Sequence, residues 1–161
     1  MARATARDSA PTKSGRSVSF TTKLRAIPTL DQELVARLGE AGIADSATLL
    51  ARGARPEGRA EICGATGLDQ VRLLKALYMM DLERVDGVSW TNAALLTAAG
   101  VSTVPDLAFR TAEDLVPQLQ RANAELGLLK RLPTAKVVQG WIDHAKGLPQ
   151  ALHFEGNAEV L

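Results

Sequence analysis

The stretch DGVSWTNAALLTAAGVSTVPDLAFR, Asp86 to Arg110, decides the fold. Ser89 stands where a side-chain oxygen can cap the amides that open a helix from about Trp90 to Ala99, and Leu95 and Leu96 give that helix an apolar face. Gly100 can adopt the left-handed conformation that ends a helix without a Cβ penalty. Ser102 or Thr103 then caps a second helix. Its first turn holds Pro105 and Asp106, where a missing N–H is tolerated and a negative charge is favoured. Two short helices therefore meet at an angle, entered through a glycine corner at Asp86-Gly87-Val88.

Val85, Gly87, Val88, Ala99, Gly100, Val101, Thr103, Val104 and Leu107 resemble a helix-hairpin-helix element, with Ser89 in place of the second hairpin glycine. Sliding the chain by 58 residues sets Ala41-Gly42-Ile43 on Ala99-Gly100-Val101, Leu38 on Leu96, Leu49 on Leu107 and Ile27 on Val85, an internal repeat. The first copy turns its corner with Ile27-Pro28-Thr29-Leu30, which contains no glycine.

Outward from these corners the chain reads as helices. Thr29-Leu-Asp-Gln32 has the spacing of a capping box for a helix carrying Leu34, Val35 and Leu38, and Gly42 stops it. A second helix spans about Ser46 to Arg52, Pro56 opens a third, and Asp69 starts a fourth that carries Val71, Leu73, Leu74, Leu77 and Met80. Thr111 begins a helix to about Leu126 with Val116, Leu119 and Leu126 inward, and Pro117 in it predicts a late start or a kink. The last helix runs from about Thr134 to Lys146 with Val137, Val138, Trp141 and Ala145 on one face. No alternating strand pair follows Ala26.

The fold class is all-α: two helix-hairpin-helix-like repeats, 26–82 and 83–149, with supporting helices, between an extended arm at 1–25 and a loose tail at 150–161. The span from about Leu24 to Pro149 is similar to the bacterial family named domain of unknown function four-three-three-two. The residues that carry this are Ala41-Gly42-Ile43, Gly53-Ala54-x-Pro56-x-Gly58-Arg59, Asp81-Leu82, Gly87-Val88, Ala99-Gly100-Val101-x-Thr103-Val104-Pro105-x-Leu107-Ala108, Arg131-Leu132-Pro133 and Trp141-Ile142-x-x-Ala145. Neither the family name nor any motif names a reaction.

At 161 residues and 46% apolar composition the chain can bury one modest core. No run approaches a membrane span, no apolar stretch follows the basic N-terminus as in a secretory signal, and the single Cys63 fits a reducing, cytoplasmic setting. The net charge of +1 conceals an asymmetry, because residues 1–25 carry +5 and the remainder −4. Residues 1–17 lack the apolar bulk to offset their own ordering entropy. Val18, Phe20, Thr22 and Leu24 alternate with polar residues, as suits an extended segment lying on a surface of its own domain or of another chain.

No cofactor, metal or catalytic constellation is implied. His144 and His153 lack ligand partners at metal-binding spacing, with His144 expected as a solvated helix-end residue, and Cys63 has no nearby histidine. The glycine- and arginine-rich run from Gly53 to Arg59 lacks the Lys-Ser/Thr of a nucleotide loop and reads as a helix connector, although Arg52, Arg55 and Arg59 could form a basic patch there. The leading expectation is a non-catalytic protein-interaction or assembly module, with Val18, Phe20, Leu24 and Trp90 as contacts; Trp90 fits equally as an exposed anchor or as a staple between the repeats. The alternative is a sequence-independent nucleic-acid binder. It would use Arg3, Arg7, Lys13 and Arg16 of the arm with Gly87, Val88 and Ser89, as the helix-hairpin-helix resemblance implies. Ser89, the glycine-free first corner, the absence of basic residues from Trp90 to Ala99 and the acidic folded part all weigh against it.

Overall fold

The computed structural model describes residues 21–154. Among them, a 3-10 turn at Leu24–Ala26 precedes eight α-helices: α1 Gln32–Glu40, α2 Ser46–Arg52, α3 Pro56–Thr66, α4 Gln70–Leu82, α5 Trp90–Ala98, α6 Val104–Ala108, α7 Ala112–Leu126 and α8 Ala135–Ala145. The extended pairing among these residues is one isolated antiparallel bridge between Lys23 and Asp45. The protein is all-helical, as the sequence indicates.

Local capping chemistry sets the helix starts. Asp45, Asp69, Ser89, Thr103, Thr111 and Thr134 each accept a backbone N–H from the first turn of the helix they precede. For α1 the cap is Asp31, whose carboxylate accepts from Glu33 and Leu34, and not Thr29. The Gln32 amide donates instead to the Leu30 carbonyl at 3.0 Å, because the charged acceptor directly before the helix takes the free amides.

The repeat is visible in the backbone. Helices α1 and α5 occupy equivalent positions 58 residues apart, and α2 and α6 begin at equivalent positions. Each pair is joined by the same bonds: Ile43 N–H to Leu38 at 2.8 Å and Val101 N–H to Leu96 at 2.9 Å, across glycines with φ of 85° (Gly42) and 99° (Gly100). Both corners close likewise, Leu30 N–H on Ile27 and Val88 N–H on Val85. Gly87, with φ of 89°, supplies the left-handed third position of the second turn, whereas Pro28 presets the second position of the first.

One core joins the units. Leu34 and Leu38 of α1, Leu73 and Leu77 of α4, Leu95 and Leu96 of α5, and Val138 and Ile142 of α8 are essentially inaccessible, each contributing about 1.5–3 kcal/mol of burial. The fully buried Asp81 fastens α4 to α6: it accepts from Arg84 at 2.6 Å and from the Val104 amide at 2.8 Å. Arg84 also donates to the Pro149 carbonyl.

Several expectations are corrected by packing. Leu24 is fully buried in its own core, with its amide bonded to Ala44, so it is not available to a partner. The tail is not loose up to Phe154: Leu152 is buried, and His153 N–H donates to Ala54. Arg59 belongs to no basic patch. It is 2% exposed, donates to the carbonyls of Gly53 and His153 at 2.8 and 2.7 Å, and stacks on Phe154. Val71, Leu126 and Val137 are exposed, while Leu115, Leu119 and Ala122 fill the inner face of α7. Helix α7 starts at Ala112 and runs through Pro117, which lies on its exposed side.

Candidate protein-interaction groove

A half-open groove of about 800 Å³ lies where the first corner, α4, α5 and the end of α7 converge. Pro28, Thr29 and Leu30 of the first corner and Leu126 and Leu128 at the end of α7 line it. Ala76 and Met79 of α4 and Ala94, Thr97 and Ala98 of α5 complete the apolar part of the lining. The small side chains on α5 recur at helical spacing, which keeps one wall low. Met79 supplies an adaptable apolar surface.

Two local devices shape the lining at the end of α7. Gly127, in the left-handed region with φ of 63°, terminates α7. The Asn123 amide then brackets Leu129, donating to its carbonyl at 2.8 Å and accepting its N–H at 2.9 Å, which fixes the loop that holds Leu128 at the rim. Leu126 continues the stripe of Leu115, Leu119 and Ala122, but the stripe runs out over the groove, and Leu126 is 52% exposed.

The rim is charged asymmetrically. Arg72 donates to both Asp31 and Glu33, and its hydrogen bond is the main reason that both carboxyls are held below their ordinary range. Lys75, which also lines the groove, is exposed and makes no ion pair among the described residues. The Thr29 hydroxyl is buried and has no hydrogen-bond partner among the described residues.

The residues singled out from sequence lie elsewhere. Val18, Phe20, Arg3, Arg7, Lys13 and Arg16 fall outside the described residues. Trp90 is half-buried at the start of α5 and packs against the core without lining the groove. Gly87 and Ser89 are exposed, but Val88 is buried with its amide bonded within the turn. The Ser89 hydroxyl accepts the Asn92 N–H. Beneath this corner sits α8: a Cβ on Gly87 would lie 3.3 Å from Trp141 Nε1, and the Asp86 amide donates to His144 Nδ1 at 2.9 Å. His144 is therefore a half-buried tie between α8 and the corner, not a solvated helix end. Cys63 is half-buried, and burial, aided by Asp69, pushes its thiol up and suppresses the thiolate.

The run from Gly53 to Arg59 works as close packing. A Cβ on Gly58 would lie 2.0 Å from the Arg52 carbonyl oxygen, and one on Gly53 would meet Leu77 at 2.8 Å. Sequence reasoning did not find the groove; the signal that could have pointed to it is the small-residue face of Ala94, Thr97 and Ala98.

Among the described residues no helix is long and apolar enough to cross a membrane. Neither a curated protein nor a solved structure matches the chain. The family model described as Domain of unknown function (DUF4332) matches residues 28–148, from the first corner to the end of the second unit, and the chain is a member of that family.

Proposed function

We propose that the chain is a non-catalytic protein-interaction or assembly module that receives an apolar segment of a protein partner in the groove between its two units. The observation that carries this reading is the groove itself: about 800 Å³, mainly apolar, half-open, and held by α4 and α5, the elements that also build the core. Sites on rigid helices present a fixed surface at little ordering cost. Ala98→Trp, at an exposed lining position, fills the groove without entering the core. Affinity capture from the native host should recover partners on the wild type and on Phe109→Ala, whose side chain is 89% exposed outside the groove, and lose them on Ala98→Trp. Equal recovery on all three baits contradicts the reading.

Nucleic-acid contact keeps one support in the fold: the exposed Gly87 and Ser89 amides have no hydrogen-bond partner among the described residues. The neighbouring Asp86 carboxylate opposes a phosphate there. This second reading requires salt-sensitive retention of duplex DNA that falls when Arg3, Arg7, Lys13 and Arg16 are changed to Ala, and no retention at low salt ends it.

A further inference from the structure

We infer that the groove's occupant is an amphipathic helix bearing carboxylates on the flank it turns toward Lys75, a statement that rests on the interaction reading above. The groove's composition selects among the ways folded domains hold peptides. Strand addition needs an open sheet edge, and the described residues contain no sheet beyond the isolated bridge at Lys23 and Asp45, which lies outside the groove. Recognition of an extended proline-rich segment needs an aromatic-lined cleft, and no aromatic residue lines this one. A groove lined by two packed helices, with Leu30 and Leu128 also on its lining and small residues along α5, suits a helix that inserts side chains at i, i+3, i+4 and i+7.

Charge selects the kind of helix. Asp31 is compensated by Arg72, so it offers little to a cationic partner. Lys75 stands on the lining, exposed and without an ion pair among the described residues. One uncompensated cation on the lining, beside a carboxylate already engaged by Arg72, favours an anionic flank, which raises the association rate and selects against basic helices.

The test is a displayed library of amphipathic helices about four turns long, with a fixed apolar face and a randomised polar face. It is selected on the full chain and counter-selected on Ala98→Trp. Leu126→Glu, at a half-exposed rim position, serves as a second blocked groove should Ala98→Trp fold poorly by circular dichroism. Enrichment of Asp and Glu is expected. Binding of a synthetic representative should weaken about tenfold with Lys75→Glu and recover when a facing Glu of the peptide becomes Lys. Groove-dependent binders that come out neutral or basic overturn the acidic flank and leave the groove reading standing. Failure to enrich any helix that both blocked variants lose overturns the occupant and the groove reading together.

Discussion

Asp81 carries the most demanding structural prediction. Its carboxylate is fully buried, one oxygen 2.6 Å from Arg84 and the other 2.8 Å from the Val104 amide, the first residue of α6. Removing one partner of a buried ion pair costs about 3–5 kcal/mol, chiefly through the stranded charge. The Arg84 side chain is 21% exposed and keeps its bond to Pro149, which lowers that share, while the Val104 amide loses its acceptor for about 1–2 kcal/mol. Asp81→Ala should therefore destabilise by about 3 kcal/mol. That corresponds to about 6–12 °C in Tm for a chain of this size, or about 1.5 M in urea midpoint at constant slope. Asp81→Asn retains an acceptor for Val104 but loses the charge and the acceptor facing Arg84, so a smaller loss than for Asp81→Ala is expected. A loss below about 1 kcal/mol for Asp81→Ala, or equal losses for both variants, would refute the assignment of Asp81 as the tie between the units.

Gly58→Ala should destabilise by more than about 2 kcal/mol in the same assay, since the clash with the Arg52 carbonyl outweighs the helix-propensity gain of about 1 kcal/mol. Gly87→Ala should lower Tm more than Gly100→Ala: both sites have positive φ, but only Gly87 has Trp141 against the added carbon. Removal of residues 1–25 takes Leu24 from the core and should lower Tm steeply. Leu152→Ala should cost about 2–4 kcal/mol, and a change below about 1 kcal/mol would place the C-terminal segment outside the cooperative fold. Asp31 and Glu33 are held below their ordinary values of 3.8 and 4.5 by Arg72, so their stabilisation is complete above those values and is lost as pH falls through the lower folded ones. Urea midpoints of Arg72→Met should fall less between pH 5 and pH 3 than those of the wild type, and an unchanged pH slope would contradict the pairing.

Much of the fold was legible because its signals are local. Asp45, Asp69, Thr103 and Thr134 cap the helices they precede, and the 58-residue offset between the units reappears in the ends of α1 and α5. Misreadings arose where distant packing decides. Arg59 looks like a surface cation until His153, 94 residues on, supplies its second carbonyl. Leu24 looks like a docking residue until Ala44 takes its amide. Leu126 fits the apolar stripe of α7, but only the convergence of four separate segments shows that the stripe ends at a groove. That convergence is why the candidate site was not readable: each wall taken alone is an unremarkable face of a helix.

The groove is tested most directly by mapping backbone amide chemical shifts of the full chain as a groove-selected acidic helix is added. Saturable changes should centre on Leu30, Met79, Ala94 and Leu128 and vanish with Ala98→Trp. Changes centred on Gly87 to Trp90, or no saturable change, would contradict the assignment of the groove as the binding surface.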